Sequence, residues 1–136
     1  DVERSRGLGD VYKRQIYNAD ALEIYRTVFI CEGAINAETL GENGIATGGK
    51  AVSRYQVNRL IKSPVEKFII LIDPDAKDKS LDLAFKLVPF KKVKVVFLPD
   101  NEDVNSLGKR RTLEYVRKTT YQTYQELLTI KSELKL

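Results

Sequence analysis

The chain has no histidine and a single cysteine, Cys31, in 136 residues. Those absences remove much chemistry. An internal disulfide is excluded. So are a zinc site of the Cys/His kind, a Cys/His nucleophile pair and a Ser-His-Asp triad within the chain. Long apolar runs are missing too. No stretch approaches the roughly 20 residues of a membrane-spanning helix, so no membrane partner is expected. Neither sign of charge dominates: 23 Lys and Arg stand against 19 Asp and Glu, a net +4. That balance mildly favours a polyanionic partner. Apolar residues make up 43% and charged ones 31%, which fits one globular domain with a core. Carboxylates, lysines, arginines and tyrosines must carry any chemistry.

Residues 1–15, DVERSRGLGDVYKRQ, show no apolar period. GLGDVYKRQ resembles a translated sequencing-adapter remnant of the kind found at the ends of metagenomic reading frames. This stretch is read as a non-native leader and set aside from the fold; a flexible basic leader is the alternative. The expectation is that the natural protein began upstream.

The rest alternates strand and helix signals. Thr27 to Cys31 reads as a first strand, rich in β-branched and aromatic residues. A helix over Ala34 to Leu40 follows, then a short strand over Gly44 to Thr47 and a tight turn at Gly48-Gly49. Ala51 to Ile61 reads as a helix with Val52, Tyr55 and Leu60 facing inward, stopped by Ser63-Pro64. The third strand is Lys67 to Ile72. A helix from about Lys79 to Val88 carries Leu81, Ala84, Phe85 and Val88 at i, i+3, i+4, i+7. Val93 to Leu98 is the fourth strand. A loop from Pro99 to Asn105 enters a helical tail running from Ser106 towards Leu136. Thr119 to Leu136, with Tyr121, Tyr124, Leu127, Leu128 and Leu134, reads as an amphipathic helix. Such alternation predicts an α/β fold: a compact four-stranded parallel sheet flanked by helices, Rossmann-like, with a C-terminal helical tail. The expected divisions are a leader over 1–15, the α/β domain over 16–110 and a helical extension over 111–136.

The apolar run Phe68 to Ile72 ends at Asp73-Pro74-Asp75. Open α/β sheets bind ligands beyond the carboxyl ends of their strands, and all parallel strands end at one edge. Glu32 closes the first strand, Asp73 and Asp75 follow the third, and Asp103 lies after the fourth. Converging carboxylates repel. A divalent cation relieves the conflict, and magnesium takes one or two carboxylates while keeping waters for substrate phosphates. Solvated loop acids and helix caps are the plainer alternative, with Asp78 read as such a cap. Gly33 is expected to allow a tight strand-to-helix turn or close backbone approach. Cys31 reads as a small buried strand residue.

VFICEGAINAETLGENGIATGG resembles the first half of a TOPRIM domain, with its Glu-Gly pair, helix and Gly-rich second strand. FIILIDPDAKDKSLDLAFKLV resembles the Asp-x-Asp motif and following helix of that family. KVKVVFLPDNEDVNSLG is similar to the last strand and acidic loop of bacterial and phage-type primases. The resemblance spans about residues 26 to 110. It implies that Glu32 is a general acid or base in nucleotidyl transfer, and that Asp73, Asp75 and Asp103 hold magnesium, with manganese as the alternative ion. Two positions depart from the primase pattern. Asn36 stands where primases usually carry an aspartate, and Asn105 where they often carry a second acid. With Gly33 these are auxiliary site residues, and the two amides imply fewer or weaker metals.

Candidate phosphate contacts are Lys50, Lys77, Lys109 and Arg110. Lys50 follows the Gly48-Gly49 turn, Lys77 and Lys79 flank the acidic motif, and Lys109-Arg110-Arg111 lies just past the acidic loop. For Lys77 and Lys79 exposure at a helix start is the plainer reading, and for Lys50 a solvated surface position weighs equally. The resemblance implies magnesium-dependent RNA primer synthesis from ribonucleotides on a single-stranded DNA template, in the cytoplasm of a bacterium or phage-infected cell. A replicative helicase, in cis or in trans, is the implied further partner. Two alternatives stand beside it: another TOPRIM enzyme, of nuclease or topoisomerase type, and a non-catalytic nucleic-acid-binding TOPRIM module.

Overall fold

Four short runs rich in valine, isoleucine and phenylalanine set the frame. The computed structural model describes residues 15–48 and 51–136. In chain order these form α1 (Ala21–Ile24), β1 (Thr27–Cys31), α2 (Ala34–Leu40), β2 (Gly44–Ala46), α3 (Arg54–Lys62), β3 (Lys67–Ile72), α4 (Lys77–Leu87), β4 (Lys92–Phe97), α5 (Val104–Leu107), α6 (Lys109–Lys118) and α7 (Tyr124–Glu133). The leader expected over 1–15 lies outside the described residues except for Gln15, and so does Lys50. No described helix is long and apolar enough to cross a membrane.

The strands form one parallel sheet in the order β2-β1-β3-β4. The central strands β1 and β3 are covered on both faces, so they read as unbroken apolar runs rather than as alternation. Successive side chains go to opposite layers. Phe68, Ile70 and Ile72 join Val28, Ile30, Val93 and Val95 in a core closed by α3, α4 and α7. Ile69 and Leu71 join Phe29, Cys31 and Val96 in a second core closed by α2, α5 and α6. Cys31 is buried as expected, and burial pushes its thiol up to about 12.

Gly44 is required by contact. A methyl group added there would run into the backbone carbonyl of Ala37, so only glycine lets α2 lie this close to β2. Gly33 is different: its backbone is ordinarily extended and an added Cβ would meet nothing. The expected steric reason for a glycine after Glu32 does not operate.

Three helix readings change. α3 begins at Arg54 rather than Ala51, because Ser53 and Gln56 form a reciprocal capping box. Tyr55, expected inward, is 50% exposed, and the buried position goes to Gln56. Its amide donates to the carbonyls of Gln15 and Thr47, both at 2.7 Å, which satisfies a polar group in the interior. α4 begins at Lys77, since a turn from Asp73 to Ala76 closes at 3.0 Å and makes Ala76 the cap residue. Asp78 is therefore not the cap; it sits in the first turn, where a negative charge still suits the helix dipole.

The tail is not one helix. Gly108, at φ +82°, divides α5 from α6, and residues 119–123 are extended. Gln122 seals the outer edge of β4: its backbone N–H donates to Val93, and its side chain accepts from Val95 N–H at 2.7 Å. Tyr17 pairs with Ala46 at the opposite edge. Neither outer strand is left open to another chain at these positions. Thr123 and Glu126 then cap α7, whose Leu127 is fully buried in the first core, while Tyr124 meets Phe85 edge-on at 5.2 Å. Val116 and Leu127 belong to the two cores, so the extension read over 111–136 is packed on the α/β unit.

Candidate active site

Parallel strands deliver their last residues to one edge, and that edge is acidic. Glu32 directly follows β1 and is exposed; Asp73 directly follows β3 and is half-buried; Asp75 is exposed one turn further on. Asp103 caps α5 after β4. The backbone holds the first strand end in place, with Gly48 N–H donating to the Glu32 carbonyl at 2.9 Å.

The charges of these groups reach one another at Asp73. Burial pushes its carboxyl up to about 6, and the charges of Glu32, Asp103 and Asp75 push in the same direction. Three separate strand ends thus act on one carboxylate. Hard oxygen donors with like charges fit a hard divalent cation. Among the described residues no three acidic, cysteine or histidine side chains stand close enough together to hold a metal ion. Magnesium takes as few as one or two carboxylates and leaves the rest of its shell to water and substrate oxygens.

Asp103 has a second engagement. One carboxylate oxygen accepts from Ser106 N–H at 2.8 Å, and Ser106 Oγ accepts from the Asp103 N–H in return. The plainer reading of acids at strand ends, that of a helix cap, therefore describes this residue as well, though its other oxygen stays outside the capping bond.

The two asparagines meet across the site's rim. Asn36 Oδ1 accepts the backbone N–H of Asn105 at 3.1 Å, and Asn105 Oδ1 accepts from the Thr39 hydroxyl at 3.3 Å. The carbonyl oxygens that could ligate an ion are occupied in tying α2 to α5.

The basic candidates do not gather. Lys77 opens α4 immediately after the acidic turn. Lys109 instead lies over the carboxyl end of α2, where a methyl at Gly41 would meet its ammonium at 3.3 Å. A cation is favoured there by the helix dipole. Arg110 is exposed on α6. Lys50 lies outside the described residues. Two further basic residues border the acids: Lys79, noted beside the acidic motif, and Arg59, not singled out from the sequence. Lys79 lines a cavity with Glu32, Asp73 and Thr47. Arg59, from α3, lines the wider groove that holds Glu32, Asn36 and Asp73. Lys79 was visible beside the acidic motif, whereas Arg59 carries no local signal, because only the packing of α3 brings it there.

A four-stranded parallel sheet with helices on both faces and acidic strand ends is the TOPRIM fold that the resemblance implied. Solved structures share it. The chain is similar to a DnaG primase catalytic domain bound to single-stranded DNA, at 22% identity and a TM-score of 0.65, over 81% of this chain and 41% of that one. It is similar to the Escherichia coli primase catalytic core, at 18% identity and a TM-score of 0.70, over 92% and 45%. It is also similar to the zinc-binding and RNA polymerase domains of Aquifex aeolicus primase, at 18% identity and a TM-score of 0.70, over 90% and 34%. The chain thus spans less than half the length of these structures. No family model and no curated protein sequence matches it significantly.

Proposed function

We propose that this chain is the TOPRIM part of a phage-type DNA primase, carrying out magnesium-dependent nucleotidyl transfer in RNA primer synthesis on single-stranded DNA. The reading is supported chiefly by the convergence of Glu32, Asp103 and Asp75 on Asp73, whose carboxyl is raised to about 6 first by burial and then by those charges. It is supported also by the shared fold with primase catalytic cores, one of them bound to single-stranded DNA.

In this reading Asp73 and Asp75 hold the ion, magnesium or manganese, and Asp103 adds its free oxygen. A bound ion of this kind polarises a phosphoryl oxygen and orients the groups around it. Glu32, exposed at the end of β1, accepts the proton of the attacking primer 3′-hydroxyl. Lys77 and Lys79 meet the phosphates that enter over the acidic turn. The partners are single-stranded DNA and ribonucleotides, with a replicative helicase in cis or in trans.

A second reading has its own observation. Asn36 and Asn105 spend side-chain oxygens on tying α2 to α5, which favours a nucleic-acid-binding TOPRIM module without catalysis. Magnesium titration followed by calorimetry, on the wild type and on Asp73→Asn/Asp75→Asn, tests the first reading. The wild type should bind and the double variant should not; equal titration overturns it. Extension of an annealed RNA primer then separates catalysis from binding.

A further inference from the structure

The strands begin at the edge opposite the carboxylates, and that edge is basic. Lys67 and Lys92 are the paired first residues of β3 and β4. Lys91 precedes Lys92, and Lys94 lies two residues on. Two open grooves meet here and share Val88, Lys91 and Lys92. Phe90 and Lys67 wall one; Tyr121 and Tyr124 wall the other. Glu66 is the one carboxylate lining either groove. Phe90 is 63% exposed and Tyr124 52%.

The positive charges are held in place without counter-charges. Lys91 Nζ donates to the carbonyls of Ser63 and Val65, both at 2.7 Å. Tyr121 lies between two ammonium groups, 5.6 Å from Lys67 and 4.6 Å from Lys94. Lys94, buried, donates to the Val116 carbonyl at 3.0 Å. Burial, and then the charge of Lys67, hold its amine below the usual lysine range. The one ion pair among the described residues is Lys86 with Asp82, elsewhere on α4.

We propose that this amino edge is a second nucleic-acid surface, separate from the carboxylate edge, and that it takes a single-stranded segment. Lys67, Lys91 and Lys92 meet backbone phosphates, and Phe90 offers its ring to an unstacked base. Ammonium groups interleaved with exposed rings suit a single strand, because every base has a stacking face. An acidic peptide would use the lysines and leave the rings idle. A duplex would use the charges alone. The proposal stands apart from the chemistry of the carboxylate edge.

The test is fluorescence anisotropy with a labelled 15-residue oligothymidylate, at 50 mM salt with EDTA, using the full chain. Both Lys92 and Phe90 are exposed, so Lys92→Glu and Phe90→Ala should keep the fold, checked by circular dichroism. Lys92→Glu should weaken binding about fivefold or more and lower the log–log salt slope by about 0.7. Phe90→Ala should weaken it about fivefold. Asp73→Asn/Asp75→Asn should bind at least as well as the wild type, so failure of the catalytic reading would leave this result untouched. Wild-type binding by both edge variants overturns the proposal. Equal binding of a 15-base-pair duplex, insensitive to Phe90→Ala, overturns the single-strand assignment.

Discussion

The two edges of the sheet are made from the same strands and carry opposite charge. At the carboxyl edge Glu32, Asp73, Asp75 and Asp103 gather, and burial together with the neighbouring charges pushes Asp73 up to about 6. At the amino edge Lys67, Lys91, Lys92 and Lys94 gather instead, and burial, then the charge of Lys67, hold Lys94 low. The gathered charges are held differently. The lysines spend donors on carbonyls of Ser63, Val65 and Val116 and lie against the Tyr121 ring. Among these four acids, Asp103 alone accepts a backbone N–H with its side chain. A parallel sheet sorts strand starts from strand ends, so a habit of lysine before a strand and acid after it becomes a polarity across the domain. At the amino edge Lys91 and Lys94 are tied to backbone carbonyls, while Lys67 and Lys92 keep their charge without a carboxylate partner.

Lys94→Ala should have the largest effect on this contrast. It removes the buried amine from the Val116 carbonyl and from Tyr121, and should cost about 2 kcal/mol in urea unfolding. A cost no larger than that of Lys77→Ala would mean that the amino edge is as loosely engaged as the acidic one. Next, Asp103→Ala should cost about 1 kcal/mol through loss of the α5 cap, whereas Asp75→Ala, at an exposed site, should be near neutral without metal. Equal effects would erase the distinction drawn between these two acids.

The smallest effect has the opposite sign. Because the folded state raises the Asp73 pKa above its unfolded value, the stability linked to that proton is full below about pH 4 and is lost as the pH rises through about 6. The metal-free wild type should therefore weaken between pH 4 and 7. Asp73→Asn should stabilise it at pH 7–8 by on the order of 1 kcal/mol, an amount reduced by solvent at a half-exposed site, and should have no effect at pH 4. Thermal unfolding across that range checks the slope. A flat difference would mean that the strand-end charges do not meet at Asp73.

Much of the frame was legible. The runs 27–31 and 67–72 are apolar on both faces because both faces are covered, and that pattern suits a central parallel strand. The start of α3 was legible too, since Ser53 and Gln56 have capping-box spacing, but the apolar positions before them drew the helix back to Ala51. The break at residues 119–123 was harder to see. Its reason is Gln122 pairing with β4, a contact across 27 positions of sequence. Glu32, Asp73, Asp75 and Asp103 were singled out through their places at strand ends, and the fold brings those ends to one edge. Lys109 was read from its nearness in sequence to the acidic loop, whereas its amine lies over the end of α2, and Arg59, which borders the acids, carried no local signal.

The sequence by itself determined the order of strands and helices, the parallel character of the sheet and the acids at the strand ends, because these follow from local periodicity and chain connectivity. Only the tertiary structure decided which charges share a field, that Asn36 and Asn105 bond across the rim, and that lysines from two strands close on Tyr121. Electrostatic and hydrogen-bond energies depend on distance and burial between groups far apart in the chain, and local patterning carries neither.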